Sequence, residues 1–343
     1  MYGFIKNVLN KFGKPSITLR CTSLLLLPVM LVCSLPAHAD YSFQLVIPPG
    51  AENANTLGIN NAGTVVGATF YDAGPGYSFT YDMKKGEYTT ISNEFNVIDI
   101  SNPGVMVGDV DGVCAMRDKK GNITPLFPPS WTVDSFCQAR GVNPDGKVSG
   151  FEIDEFGDWL GFIYDSKHGT YEDFLPSPQT IAHAINAQGQ NVGSVDLDAD
   201  EAYEGSAPGS YGYLRQTDGS VKYFEISQSF PGESRGRGLS ENGLISGFYL
   251  DPDTFEFKSY ITTLSSGTDF ESITLTDGEM VYQKPCDPDL LPLPGYVLLF
   301  TDMTAARVRH DGVVVGSCTD YQFNETTGNW IWHTYGFIAT PIK

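Results

Sequence analysis

The residues best suited to bind a ligand stand at one position of a repeated pattern. Arg140, His183 and Arg237 each lie two residues before an apolar residue that is followed by glycines four and eight positions later, and Arg307 stands close to the same position in a further copy. If the copies fold alike, these side chains converge and predict a half-ring of donors for a carboxylate or a sugar. The simpler alternative, which the sequence favours, is that each arginine pairs with an acid from a nearby loop.

A second possible binding site is an acidic segment. Asp196, Asp198 and Asp200 alternate along a short stretch with Glu204 close behind, an arrangement that can direct several carboxylates at one Ca²⁺. Glu201 stands where an EF-hand loop has Gly, so the sequence predicts at most a weak site of another kind. The alternative, which the sequence favours, is an acidic rim that is simply solvated.

The overall charge limits the choice of partner. The chain has 41 Asp and Glu against 21 Lys and Arg, a net charge of -20. Nucleic acids and anionic membranes are bound by clustered Lys and Arg, so neither is an expected partner. The remaining classes are a small molecule, a glycan or a protein, and we expect a monomer.

The N-terminal segment and the cysteines indicate export. Residues 1–39 combine early basic residues, an apolar run and the small-residue pattern Ala37-His38-Ala39, which is typical of a secretory signal peptide and too short for a membrane span. Four cysteines follow it, and an even number in an exported chain predicts two disulfides. Of the three possible pairings, sequence order favours Cys114 with Cys137 and Cys286 with Cys318. We therefore expect a secreted or periplasmic protein.

The elements that position these residues are short strands. The spacing apolar-x3-Gly-x3-Gly occurs six times, starting at Ile59, Ile100, Val142, Ile185, Leu239 and Val308. Each copy reads as four strands rich in Val, Ile, Thr, Tyr and Phe, separated by turn residues. A four-stranded meander repeated every ~40 to 50 residues is typical of a β-propeller.

The prediction is thus an all-β, six-bladed β-propeller over residues 40–343. Its blade repeats should start near 55, 96, 138, 181, 235 and 304, with a strand near 269–275 ending the fifth blade and an insert, 276–304, forming an extra hairpin or a lid. The sixth copy lacks a fourth strand, and the segment 41–47 resembles one. We expect it to pair with the C-terminal strand and close the ring. The alternative, an open β-solenoid, would need capping segments that the sequence does not show.

These repeats resemble those of the HAF-repeat family of bacterial extracellular proteins, whose pattern is A-x-x-I-N-x-x-G-x-V-V-G. The resemblance covers about residues 55–343, although the family's namesake His is replaced in every copy. It implies secretion and a propeller-like repeat fold.

In such a ring, the loops between the second and third strands of each blade share one face with the crossovers to the next blade. We call this the top face, and the face with the remaining turns the bottom face. No nucleophile, metal-protease or phosphate-loop motif is present. The sequence therefore predicts a non-catalytic binding or interaction module at the cell envelope. The alternative is a carbohydrate-active or other hydrolytic enzyme that uses top-face carboxylates.

Overall fold

The computed structural model is a ring of six β-sheets, each built on four antiparallel strands. It describes residues 41–71, 76–173, 179–198, 208–265, 270–276, 279–281, 285–287, 289 and 295–342. Neighbouring sheets contact one another around the ring, and the sixth contacts the first. The predicted six-bladed β-propeller is confirmed.

Each blade places four strands, A to D, from the channel outward. Blade 1 contains β2 (Asn53–Ile59), β3 (Thr64–Phe70), β4 (Ser78–Asp82) and β5 (Glu87–Ser92); blade 2 contains β6 (Asn96–Ile100), β7 (Met106–Val110), β8 (Val113–Arg117) and β9 (Ile123–Pro125); blade 3 contains β10 (Phe136–Val142), β11 (Lys147–Ile153), β12 (Trp159–Asp165) and β13 (Thr170–Asp173). Blade 4 contains β14 (Thr180–Ile185), β15 (Asn191–Leu197), β16 (Gly209–Arg215) and β17 (Val221–Ile226); blade 5 contains β18 (Ser234–Leu239), β19 (Ile245–Leu250), β20 (Phe257–Thr262) and β22 (Met280–Val281); blade 6 contains β23 (Tyr296–Val308), β24 (Val314–Asn324), β25 (Trp330–Pro341) and β1 (Tyr41–Val46).

The second glycine of each repeat lets the strands of a blade pack closely. A Cβ atom on Gly67 would lie 2.7 Å from the Phe79 ring, and one on Gly247 would lie 2.5 Å from the Tyr260 hydroxyl. Any side chain there would displace the aromatic residue of the C strand, which is fully buried in both blades. The glycine spacing in the sequence is therefore a packing requirement.

The asparagine after the apolar residue fixes the A–B turn and joins neighbouring blades. Asn143 Oδ1 accepts hydrogen bonds from the amides of Asp145 and Lys147, and its Nδ2 donates to Asn186 O of blade 4 at 3.0 Å. Buried backbone groups need such partners. The same side chain thus closes its own turn and sets the spacing between blades at the bottom face.

The N-terminal strand closes the ring, as predicted. β1 pairs antiparallel with β25 over Tyr41–Val46 and supplies the D strand of blade 6. Across the closure, Thr56 of blade 1 lies between blade 6 strands, donating to Gly316 O at 2.6 Å and accepting from Gly316 N at 3.0 Å. The N-terminal and C-terminal strands therefore share blade 6, and Thr56 holds blade 6 against blade 1.

The region between blades 5 and 6 differs from the expectation. The segment predicted to end blade 5 forms β21 (Phe270–Ile273), which pairs parallel with β17 as a fifth strand of blade 4. The D strand of blade 5 is the two-residue β22. Blade 6 begins at Tyr296, well before 304, because β23 and β24 continue pairing beyond the length of the other blades. Most of residues 282–294 lie outside the described residues, so the predicted lid is not described.

Both predicted disulfides are present. Cys114–Cys137 links β8 of blade 2 to β10 of blade 3, and Cys286–Cys318 links the crossover before blade 6 to β24. Each is expected to stabilise the fold by about 2–4 kcal/mol. Among the described residues no helix is long and apolar enough to cross a membrane.

Candidate functional site

The aligned channel position is a β-bulge in every blade. In each A strand the pairing with the B strand shifts by one residue, and the extra residues are Leu57, Ile98, Arg140, His183, Arg237 and Ala306. A bulge turns a side chain and its carbonyl away from the regular ladder. The residues aligned in the sequence therefore share one structural position, the β-bulge of each A strand.

Arg307, one residue after its own bulge, crosses the centre of the channel. Its Nη1 donates to the carbonyl oxygens of Arg237 and Ala306, both at 2.8 Å. Its Nη2 donates to those of His183, at 2.8 Å, and of Arg140. Four bulge carbonyls, from blades 3 to 6, are thus satisfied by one guanidinium group.

Asp99 of blade 2 completes this arrangement. Its Oδ2 lies 3.3 Å from Arg307 Nε and accepts the Val142 amide at 3.1 Å. Burial raises the pKa of Asp99, and the Arg307 charge and the backbone amides oppose the rise. Blade 1 has Gly58 here, where a Cβ would lie 2.7 Å from Asp99 Oδ1. The Arg307–Asp99 pair therefore fills the centre of the channel, with Gly58 beside Asp99 and the four bulge carbonyls around Arg307.

This pair divides the channel into two ends. On the bottom face a pocket is lined by the A–B turns of blades 1 to 6, with Asp99 and Arg307 in its wall. Arg307 was predicted among the ligand-binding donors, but its N–H groups are directed at the bulge carbonyls and at Asp99. Its position is therefore structural.

On the top side of Arg307, the bulge residues Arg140, His183 and Arg237 of blades 3 to 5, together with Arg235 two residues before Arg237, form what we call the arginine arc. The structure brings these residues together, since Arg140 and Arg235 lower the pKa of both His183 and Arg237. The Arg140 guanidinium lies 5.3 Å from the centre of the Phe151 ring, and those of Arg237 and Arg235 lie 5.1 and 5.9 Å from that of Phe248. Cation–π contacts of this kind orient guanidinium groups without neutralising them.

The ionisation of the arc shows its excess of positive charge. Burial, with a further contribution from Arg307, lowers the pKa of Arg140 to about 10. Burial and the neighbouring arginines also lower the pKa of Arg237. His183 is buried, with Nε2 3.2 Å from Ser194 Oγ. Burial, followed by the four arginines around it, lowers its pKa well below the usual value. His183 is therefore neutral at neutral pH.

The expected pairing of these arginines with loop acids is not found in the described part of the chain. There, Arg140 and Arg237 form no ion pair, and the Nε atom of each is buried without a hydrogen-bond partner. Arg235 lies 3.9 Å from Glu233, with both side chains about a third exposed. The charge of Asp109 raises the pKa of Arg140 without a direct ion pair, and its oxygens accept hydrogen bonds from Asn96 and Gln138. Within the described ranges, the three arginines of the arc are thus opposed by Asp109 and Glu233.

Several acids that were assigned to the top-face rim have structural positions. Asp320 is fully buried and accepts the amides of Cys286 and Asp287 and the Thr301 hydroxyl. Glu152 is buried and accepts a hydrogen bond from Ser130. These acids hold loops in place, so the top face is less repulsive than the sequence indicates.

Of the predicted calcium ligands, the structure describes two. Asp196 is the last residue but one of β15 and accepts a hydrogen bond from Ser210, and Asp198 directly follows the strand; both are exposed. Asp200 and Glu204 lie outside the described residues. No group of three potential metal ligands occurs in the described ranges, so the calcium site stays a prediction.

Comparisons with known proteins were made for the whole chain. No protein-family model and no curated protein matches it. Among solved structures it is similar to TolB from Acinetobacter baumannii, with a TM-score of 0.46 and 12% identity, covering 62% of this chain and 52% of that one. It is also similar to virginiamycin B lyase from Staphylococcus aureus, with a TM-score of 0.42 and 13% identity over 88% of this chain and 100% of that one.

A third similar structure is the subtype N11 neuraminidase-like protein of A/flat-faced bat/Peru/033/2010, with a TM-score of 0.46 and 9% identity, covering 87% of this chain and 93% of that one. The chain spans about half the length of the Acinetobacter TolB. Similarity this low carries no information about activity or ligand. What the structure itself defines is a closed six-bladed β-propeller with a channel blocked by Arg307 and Asp99 and a cationic arc above them.

Proposed function

We propose that this protein is an exported, non-catalytic binding module that holds a carboxylate-bearing molecule at the top end of its channel. The observation that carries the proposal is the buried positive charge of the arginine arc, which no direct ion pair neutralises at Arg140 or Arg237 within the described ranges. There, each of these two arginines has a buried Nε atom without a hydrogen-bond partner. Burial and other cations lower the pKa of both, and the charge of Asp109 opposes this effect at Arg140.

Such an arrangement is unfavourable unless an anion completes it. Burying an unpaired donor costs about 1–3 kcal/mol, and more when the group is charged. A carboxylate between the arc residues would accept hydrogen bonds from two guanidinium groups and remove their repulsion. Because the chain has a net charge of -20, a local cationic site of this kind is not a consequence of general composition.

The channel geometry supports the same location. The corresponding positions in blades 6, 1 and 2 are Ala306, Leu57 and Ile98. None of these three bulge side chains carries a charge. A ligand entering from the top face would therefore meet donors on blades 3 to 5 and an apolar wall on the other side.

Two further parts of the proposal concern location and family. Two disulfides are typical of chains that fold in an oxidising compartment, which supports a periplasmic or secreted protein with the predicted signal peptide at 1–39. Membership in the HAF-repeat family rests on the repeat pattern alone. The hydrolytic alternative is less favoured, because the top-face carboxylates Asp109, Glu152 and Asp320 are engaged in structural hydrogen bonds.

Thermal unfolding in the presence of small acids tests the binding site. We expect glucuronate, citrate or acetate at millimolar concentration to raise the Tm of the mature chain. An Arg140→Met/Arg237→Met variant should fold with an equal or higher Tm, because the repulsion is removed, and should show no rise with the acid. Arg309→Met, on the bottom face, is the matched control and should respond like the wild type. No response to any acid, an equal response in the double variant, or its failure to fold would each overturn the proposal.

A further inference from the structure

The top face presents several exposed aromatic rings in blades 3 and 5. Phe156 is 81% exposed in the loop between β11 and β12, and Trp159 at the start of β12 is 37% exposed. Phe230 and Phe255, on the top face of blade 5, are also exposed, with ring centres 6.4 Å apart. We call these four residues the aromatic rim. Exposed aromatic groups clustered beside a polar site usually mark a binding surface.

The loops of the rim hold these rings outward. Asp154 Oδ1 accepts the amides of Phe156 and Asp158, and its carbonyl accepts that of Gly157, so the loop is a closed turn with Phe156 at its tip. Phe255 has φ 56, a left-handed backbone conformation that is rare for a bulky residue. Such outliers persist where the surrounding structure imposes them, and they concentrate at functional sites.

Blade 3 connects the rim directly to the arc. The Phe151 ring has Arg140 at 5.3 Å and the Trp159 ring at 5.2 Å, nearly parallel at 17°. Phe151 itself is buried. One continuous stack therefore runs from a cation in the channel to a partly exposed indole ring on the top face. In blade 5, Phe248 has the same relation to Arg237 and packs against Phe257 at 5.3 Å.

We infer that the ligand is an acidic oligosaccharide, with one uronate carboxylate on the arginine arc and a further sugar ring against Trp159. This inference rests on the proposed function and specifies its ligand. The C–H faces of pyranose rings pack well on flat, exposed aromatic rings, whose edges still permit hydrogen bonding. An extended peptide is usually bound by a free strand edge or by side-chain pockets, whereas the rim offers planar rings at loop tips.

The test compares ligand lengths. Calorimetric titrations use glucuronate, a 1,4-linked uronate trimer, a neutral glucose trimer and a tetraglutamate peptide. We expect the uronate trimer to bind at least tenfold more tightly than glucuronate, and the neutral trimer and the peptide to bind much more weakly. Trp159→Ala should reduce trimer affinity roughly threefold to tenfold, the range for one aromatic contact, and leave glucuronate affinity unchanged. Trp332→Ala, with a similarly exposed Trp in blade 6, is the control.

The outcomes separate this inference from the proposed function. If glucuronate binds through Arg140 and Arg237 but the trimer binds no better, or Trp159→Ala has no effect on it, the oligosaccharide inference is wrong and the carboxylate site stands. If the peptide binds as tightly as the uronate trimer and depends on Trp159, the ligand is an acidic peptide and the inference is also wrong. If no acid binds at all, the proposed function fails with it.

Discussion

The strongest prediction concerns Arg307, the residue that closes the channel. We expect Arg307→Met to destabilise the folded protein by roughly 3–5 kcal/mol, the usual effect of removing one partner from a buried ion pair. Both side chains of the pair with Asp99 are less than a tenth exposed. The variant would leave the Asp99 carboxylate buried without its counter-charge and four bulge carbonyls without their donors.

The structure limits the size of this effect. Each buried carbonyl that loses its donor would add about 1–3 kcal/mol if it stayed dry. However, the bottom-face pocket reaches Arg307, so water can enter and bind the freed carbonyls. We therefore assign most of the loss to Asp99. Against a typical total stability of about 5–15 kcal/mol, the variant should still fold but with a much smaller margin.

Urea unfolding of the disulfide-intact chain measures the effect. With a denaturant slope of about 3 kcal/mol per M, the midpoint should fall by roughly 1–2 M. The loss should also shrink in acid. In the wild type the Arg307 charge lowers the pKa of Asp99 against the effect of burial, so in the variant this pKa rises further and Asp99 binds a proton more readily as the pH falls.

Arg309→Met provides the matched control for this experiment. Arg309 lies two residues further along the chain and pairs with Asp311 at 2.6 Å, an acid whose side chain is 43% exposed. Its replacement should cost less than about 1 kcal/mol. A loss in Arg307→Met no larger than in this control would refute the view that the guanidinium holds blades 2 to 6 together.

Three further predictions address other parts of the molecule. Because the pKa of His183 is lowered from 6.5, the unfolded chain binds a proton at this residue in mild acid and the folded chain does not. The contribution of His183 to stability should therefore be constant above about pH 6.5 and decrease below it. His183→Gln should flatten this slope in urea titrations at several pH values. Deletion of residues 40–46 should expose the edge of β25 and remove the packing of Phe43 against Phe337. We expect this deletion to lower stability by several kcal/mol and to cause aggregation visible by size-exclusion chromatography. A shortened chain that remains monomeric and equally stable would contradict the closure of the ring by β1. Calcium at about 10⁻⁴–10⁻³ M should raise the Tm if the acidic segment binds it, and a Tm that does not move, or moves equally in Asp198→Asn/Asp200→Asn, would remove the site.

The repeat architecture was predictable because its causes are local. The second glycine of each copy is required by the aromatic ring of the same blade, and the turn asparagine by the amides that follow it within four residues. Ring closure by the N-terminal strand followed from counting strands, and the disulfide pairing from the order of the cysteines. Each of these features depends on few residues that are close in sequence or fixed by topology.

The region between blades 5 and 6 could not be predicted in the same way. The segment at 270–273 has the composition of a D strand, but it lies beside β17 of the preceding blade and pairs parallel with it. Lys222 of β17 and Glu271 form an ion pair at 2.6 Å across this contact, with both side chains largely buried. A two-residue D strand is left for blade 5. Contacts between residues that are distant in sequence, such as this ion pair, therefore decide whether the segment joins the edge of blade 4 or of blade 5.

The functional site shows the same limit more sharply. Alignment placed Arg140, His183 and Arg237 together, and it placed Arg307 one residue away as an apparent neighbour. This shift by one residue decides the role of Arg307. Arg307 follows its bulge residue and lies across the centre of the channel, where it meets Asp99, which follows the bulge residue of blade 2 in the same way. Repeat alignment reveals which residues share a position, but which positions face each other across a ring depends on the bulge that each A strand contains. Under the proposed function a charge at the bulge position is available to a ligand, whereas the charge one residue later, Arg307, holds the ring through the bulge carbonyls.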